Sequence, residues 1–297
     1  MRKIAIIFIA GVILWLDPGR AACQGPPPPH TGTLTGPRVY TLSVIPFYGP
    51  EKIWALYTPL LTYLKKTTGL PWELKLYPNH DALIEGLCGG EITIALLGPV
   101  PLGRASMKCG VEPLLVALGR DGKPTYRSIL VTSDPSVTSL AKLRGATFAF
   151  FKGSTAAHII PAKMLQDAGI GMDAVRPLFY ESQDRIMTAL LKHEVTAAGI
   201  KESLFRKFRN ERLRVLKISD PLPNFAFCAT PAADPRARKH FISALSPLRP
   251  LTAEKDAGTV KDWDDEIKNG FTIPSGDYRD AVVTVYRTYG EVMHEDR

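Results

Sequence analysis

The chain has 297 residues, of which 45% are hydrophobic and 22% charged, and carries a formal net charge of +8. The 37 lysines and arginines are not gathered with aromatics into one stripe, so the excess charge does not indicate nucleic acid; it suits a body facing anionic lipid headgroups, with a cationic site as the alternative. Four cysteines without metal-like spacing, and six histidines without a helical pair, exclude a zinc or iron–sulfur centre from the reading, and no cofactor is expected.

The first element is a leader. Arg2 and Lys3 precede an apolar run over 4–16, and Ala21-Ala22-Cys23 follows as a small-residue cleavage zone. This is the layout of a secretory signal, and the apolar run is short for a transmembrane helix. An uncleaved anchor is the alternative, and both place the remainder outside the cytoplasm, in the periplasm or on the outer face of a membrane. Cys23 stands where a bacterial lipoprotein is acylated, although Arg20 replaces the apolar residue usual in such signals. Lipid attached there would tether the body. Residues 24–37, with four consecutive prolines at 26–29, read as an extended spacer.

From residue 38 onward, strands and helices alternate. A strand is predicted over 39–45 and a helix carrying Ile53, Leu56, Tyr57, Leu60, Leu61 and Leu64 to near Gly69. Next come a strand over 72–77, a helix over 80–88, and strands over 92–97 and 112–118. After Gly122-Lys123-Pro124 the pattern restarts. It has strands over 126–132, 147–151, 175–179, 195–200 and 214–218, a short helix over 139–143, a helix from Ser154 or Thr155 to Ala168, and another around Ile186–Leu191. Residues 225–230 read as a strand returning to the first unit, 248–268 as polar, irregular surface, and 282–293 as a terminal helix. The implied architecture is α/β and two-lobed, each lobe a mostly parallel sheet flanked by helices. Lobe 1 is expected from 38–124 and 229–297, and lobe 2 from 125–228. In an exported chain Cys88 and Cys109 suit a disulfide; three free buried thiols are the alternative.

Dinucleotide, Walker, zinc-protease and Gly-x-Ser-x-Gly motifs are all missing from the sequence. Candidate sites therefore lie at strand-to-helix junctions, where open α/β sheets bind ligands. At Phe151-Lys152-Gly153-Ser154-Thr155, free N–H groups and two hydroxyls suit an anion, with a plain N-cap as the alternative for Ser154. Leu97-Gly98-Pro99 is a second junction. Ser182 in Tyr180-Glu181-Ser182-Gln183 either caps a helix or donates to a ligand. Lys201, ending an apolar strand, points into a cleft or is a solvated charge. Tyr48, with Phe47 and Trp54, lines the first lobe's wall or packs in the core.

Three segments carry a family resemblance. Glu85-Gly86-Leu87-Cys88-Gly89-Gly90-Glu91-Ile92-Thr93-Ile94-Ala95-Leu96-Leu97-Gly98-Pro99 is one. Tyr126-Arg127-Ser128-Ile129-Leu130-Val131 with Thr138-Ser139-Leu140-Ala141-Lys142-Leu143-Arg144-Gly145 is the second, and Phe148-Ala149-Phe150 through Ser154-Thr155 to Pro161 is the third. Over roughly 39–244 the body resembles the phosphate/phosphite/phosphonate-type substrate-binding proteins of ABC transporters, which are type II periplasmic binding proteins. The resemblance implies a monomeric clamp that captures a small anionic solute for an ABC permease and performs no chemistry. The alternative is a ligand-sensing protein signalling to a membrane receptor or histidine kinase; an enzyme on this fold would use His158 and Asp184. Ligand contacts implied by the family fall on Tyr126, Ser154 and Thr155, with His158 near the same pocket. Ala156 stands where the family often has a third hydroxyl, Leu102 where it has a tyrosine, and Lys201 where it often has an acid. These departures point to a ligand with more negative charge or simply to another anion, an oxyanion or an anionic small organic solute, phosphonate-type compounds leading.

Overall fold

The computed structural model describes residues 39–208 and 211–295; the expected leader, Cys23 and the proline spacer lie outside the described residues. Strand β1 (Tyr40–Val44) leads into α1 (Pro50–Thr68), whose Ile53, Tyr57, Leu60, Leu61 and Leu64 recur at helical spacing and are buried. Pro50 opens this helix and left-handed Gly69 closes it, the residue types favoured at those ends. β2 (Trp72–Leu74) is followed by α2 (His80–Cys88), capped by Asn79 Oδ1 accepting from Ala82 N at 2.8 Å. β3 (Ile94–Leu97), α3 (Pro99–Cys109) and β4 (Glu112–Ala117) complete the first run. A Cys88–Cys109 disulfide ties the ends of α2 and α3 together, and Cys228 remains a buried free thiol.

The chain then crosses on β5 (Thr125–Tyr126), which breaks at Arg127 before β6 (Ser128–Thr132) rather than forming one strand. β7 (Thr147–Phe150), a π-turn (Thr155–Ile159) and α4 (Ile160–Gln166) follow, then β8 (Arg176–Phe179) and α5 (Gln183–Leu191). β9 (Ala197–Lys201), α6 (Glu202–Lys207) and β10 (Arg214–Ile218) complete the second run. The chain recrosses on β11 (Leu222–Pro223), antiparallel to β5, and rejoins the first sheet at β12 (Ala226–Ala229). α7 (Pro235–Leu245), α8 (Glu254–Val260), β13 (Phe271–Thr272) and α9 (Gly276–Glu295) end it.

Two sheets result, ordered β13-β4-β12-β3-β1-β2 and β10-β6-β9-β7-β8. Both are mixed, with most strands pointing one way: β1, β2, β3 and β4 in the first sheet, and β7, β8, β9 and β10 in the second. Helical crossovers make β1 parallel to β2 and β3, and β7 parallel to β8 and β9. The strands reached from the crossing connections, β12 and β6, run antiparallel to their neighbours. Alternation along β6 sends Ile129 and Val131 to a small cluster with Ile186, Met187 and Leu190, and Leu130 to the opposite, larger core.

The expectation for 248–268 is overturned. That segment forms α8 and then turns inward, burying Trp263 and Ile267 with Asp264 and Glu266. Two apolar anchors draw the turn into the core, and Glu266 enters with a cationic partner described below.

Candidate functional site

The seam between the two sheets is built from the starts of helices. In the first lobe, Gly98 leads into Pro99-Val100-Pro101 at the start of α3. Both prolines lack an N–H, so Val100 is the sole backbone donor among those three residues. In the second lobe, Gly153 takes a left-handed φ of 75°, which turns the chain tightly after β7 into the π-turn. Ser154 Oγ accepts from Ala157 N at 3.2 Å, so its hydroxyl caps that turn. Thr155 Oγ1 reaches across the seam and accepts from Val100 N at 2.9 Å. Two positive helix ends thus face each other through one hydrogen bond.

Tyr126 closes one side of this junction. Its hydroxyl is buried beside the Thr155 side chain and makes no hydrogen bond of ordinary geometry. Burial raises its pKa, and the Thr155 side chain holds it down against that effect. Phe225 packs edge-on against Tyr126 and stacks on Phe47. Gly98 is required here: a Cβ would stand 2.9 Å from Phe225 Cε1 and 3.6 Å from Thr155 Oγ1.

Two histidines flank the grip. His158 Nδ1 accepts from Gly153 N at 3.2 Å and its ring meets the Phe150 and Phe179 rings edge-on, leaving Nε2 buried and unpaired. His80, at the start of α2, packs on Phe151 and has both ring nitrogens buried without a hydrogen bond, although the Lys152 backbone adjoins it. Burial, reinforced by Arg104, holds His80 down at about 4; burial and Lys152 do the same to His158, at about 4. Both rings are therefore neutral at physiological pH.

The other end of the seam holds Lys201, which is buried, only 3% exposed. Its Nζ donates to Glu266, and to Asn224 Oδ1 at 3.0 Å. It lies 3.5 Å from the Phe225 ring centre and 4.3 Å from that of Tyr126. Ser203 Oγ also donates to Glu266. Burial lowers the Lys201 pKa and the Glu266 charge opposes it. Burial together with Glu266 pushes Asp264 up to about 7.

The remaining sequence-predicted residues stabilise the meeting of the lobes. Ser182 Oγ caps α5 by accepting from Arg185 N at 3.3 Å, and the adjacent Gln183 N donates to Phe47 O at 3.1 Å across the seam. Tyr48 is buried, accepts from Lys207 Nζ at 2.9 Å and lies beneath Lys52. Lys52–Asp184 at 2.8 Å and Lys207–Asp265 at 2.9 Å bridge the rim. The space left beside Phe47, Tyr48, Gln183 and Lys201 is about 10 Å³, so the lobes are in contact at this point, while a cavity of about 260 Å³ remains between Arg120, Ser203, Arg206, Lys207 and Asp265. Sequence reasoning missed Glu266, Asn224, Phe225 and His80. Among the described residues no group of His, Cys, Asp or Glu is placed to hold a metal ion, and no helix is long and apolar enough to cross a membrane.

Two mixed α/β lobes joined by paired crossings and meeting at opposed helix starts define a type II periplasmic binding protein. Residues 42–274 match the family of ABC transporter phosphonate periplasmic substrate-binding proteins, and the chain belongs to that family. It is 25% identical over 236 residues to the phosphate-import protein PhnD of Mycolicibacterium smegmatis, covering 72% of this chain and 74% of that one. Among solved structures, PhnD1 of Prochlorococcus marinus in complex with methylphosphonate superposes with a TM-score of 0.73 at 16% identity, covering 86% of this chain and 100% of that one. A binding-protein component of an ABC phosphonate transporter from Pseudomonas aeruginosa gives 0.71 at 15%, covering 87% and 97%. The chain is thus a periplasmic solute-capture component of ABC import.

Proposed function

We propose that the clamp captures a compact phosphorus oxyanion, phosphate or an alkylphosphonate, at the junction of Val100, Ser154, Thr155 and Tyr126, and changes no bond in it. The observation that carries this reading is the buried, unpartnered Tyr126 hydroxyl beside two opposed helix starts. An oxyanion inserted there accepts from Val100 N–H, from the Thr155 hydroxyl and from Tyr126, exchanging one neutral hydrogen bond for several charge-assisted ones. The unpaired Nε2 of His158, when it carries the proton, supplies a further donor, while Ser182, Tyr48 and Lys201 form the surrounding wall. Relatives named for phosphate import and for methylphosphonate binding support the same ligand class.

Entry of the solute requires separation of Thr155 from Val100. The units 38–124 with 224–297, and 127–221, are the bodies that move about β5 and β11, because β12 belongs to the first sheet. Closure then excludes water and presents one surface to a permease, with the protein acting as a monomer. Cys23 is the point of lipid attachment. Membrane release in Cys23→Ser, read with the mass of the amino-terminal fragment, tests the tether; an unchanged mass and distribution reject it.

Titration calorimetry against phosphate, phosphite, methylphosphonate, sulfate and small carboxylates tests the ligand class. Saturable binding of a phosphorus oxyanion, lost in Thr155→Val, is expected. Binding of none of them, by a cooperatively melting protein, rejects the reading.

A further inference from the structure

Lys201 occupies a receptor for a cation, and that receptor is assembled without it. Glu266 is oriented by Ser203 Oγ, and its backbone N–H donates to Asp264 Oδ1 at 2.7 Å. Asn224 is fixed by Nδ2 donating to Ala117 O at 3.0 Å, while its Oδ1 accepts from Phe225 N at 2.9 Å. Phe225 is held by its stack on Phe47, 5.2 Å between ring centres. A carboxylate, an amide oxygen and two aromatic faces converging on one point are the chemistry that recognises a primary ammonium. Lys201 alone reaches it from β9, its ammonium filling the cage.

The cage adjoins the anion grip, because Phe225 and Tyr126 wall both. Phe225 closes over Gly98 and Tyr126 lies beside Thr155. A ligand with an oxyanion at Thr155 and an amine on a short arm finds, on the shared Tyr126 and Phe225 faces, the cation position that Lys201 already fills. We propose that Lys201 sets specificity at the seam by supplying in cis the ammonium that a zwitterionic solute would bring, so that the protein takes oxyanions lacking an amine. Replacing Lys201 with a small residue hands the cage to the ligand's own ammonium. Only the phosphonate half of this inference rests on the proposed function; the cage stands on its own geometry.

The experiment compares wild type with Lys201→Ala, by melting and calorimetry, in ethylammonium chloride, methylphosphonate and 2-aminoethylphosphonate, with sodium chloride at matched ionic strength. Ethylammonium is expected to raise the melting temperature of Lys201→Ala in a saturable manner and to leave wild type at the sodium chloride value. Lys201→Ala is expected to favour the aminophosphonate over methylphosphonate by about tenfold, and wild type to show the reverse order. The double variant Lys201→Ala/Glu266→Gln, which removes both charges of the pair, is expected to lose the ethylammonium response. A Lys201→Ala response to ethylammonium no larger than to sodium chloride overturns the proposal, as does a response kept in the double variant. If Lys201→Ala is recovered unfolded, refolding yield is read in the same two salts. A yield gained only in ethylammonium supports the cage, and equal yields overturn it. Wild type binding neither phosphonate would reject the ligand class while leaving the ethylammonium result to decide on the cage.

Discussion

The two ends of the interlobe seam are built on opposite principles. At the Lys201 end the ammonium itself is fully matched by a carboxylate, an amide oxygen and aromatic faces, although Asp264 Oδ2 and the Tyr57 hydroxyl nearby stay buried and unpaired. At the Thr155 end polar atoms are buried and left open: Tyr126 Oη, His158 Nε2 and both nitrogens of His80. Buried polar groups in native proteins are nearly always satisfied, so a concentration of open ones along one seam marks a place completed from outside. The difference separates the end whose ammonium is matched from within from the end that we propose receives the solute.

The largest effect that would break this contrast lies at the satisfied end. Glu266→Ala leaves the Lys201 ammonium buried against aromatic rings, hydrogen-bonded to the neutral Asn224 amide and without its carboxylate partner. Removing one partner of a buried ion pair costs about 3–5 kcal/mol, and urea unfolding is expected to show a loss of that order. A loss below about 1 kcal/mol would mean that water reaches the pair, and the two ends would then no longer differ in kind.

Acid tests the open end next. His80 and His158 are held down to about 4, so their folded form resists protonation relative to an unfolded value near 6.5. A histidine depressed in this way contributes stability that is present above about pH 6.5 and is lost as pH falls toward 4. A shift of that size corresponds to about 3 kcal/mol for each ring. Asp264, raised to about 7, contributes with the opposite sign, losing stability as pH rises through the same range. It is common to wild type and variant, so the difference between their pH–stability curves isolates the histidine. His158→Asn, whose amide oxygen can still accept from Gly153 N–H, is expected to lose less stability than wild type between pH 6.5 and 4. Coincident curves would show that the ring is not buried in the folded clamp.

The residues of the proposed anion site could be picked out in the sequence, whereas those of the cage, Lys201 apart, could not. Ser154, Thr155 and Gly153 announce themselves because a tight turn and a capped helix are local events, readable from adjacent residues. Tyr126 was reached only through the family resemblance, not from its own surroundings in the sequence. Lys201 was seen at a strand end, yet its fate depended on Glu266, which lies 65 residues further along. That residue sits in the polar stretch 248–268, whose burial is decided by the tertiary placing of Trp263 and Ile267 rather than by any periodicity. The alternation of strands and helices gave two α/β lobes but not the strand directions, since β6 and β12 run antiparallel to neighbours distant in sequence. Pairings of that kind leave no local trace.

Thr155→Val gives a smaller effect that sharpens the contrast. The substitution keeps shape and removes the acceptor of Val100 N–H, leaving a buried donor unpaired in the closed clamp. A cost of about 1–3 kcal/mol to the unliganded protein is expected, with Thr155→Ser close to wild type. Equal melting of the valine and serine variants would show that the interlobe hydrogen bond does not hold the lobes in solution.

The smallest expected change in stability is also the most discriminating. Tyr126→Phe deletes one oxygen that has no partner inside the folded protein. A hydroxyl serving the fold would cost about 1 kcal/mol or more when removed, because its partner would be left unsatisfied. A hydroxyl held open for a ligand costs nothing to lose, and its removal even spares the desolvation of an unpaired polar group. Unfolding free energy within about 0.5 kcal/mol of wild type, or slightly higher, is therefore expected. The same variant should bind the oxyanion about tenfold more weakly, the loss of one hydrogen bond to a charged group. Calorimetry on a variant of unchanged stability separates these two effects. Weakened folding with unchanged affinity would assign Tyr126 to the core and erase the distinction between the seam's two ends.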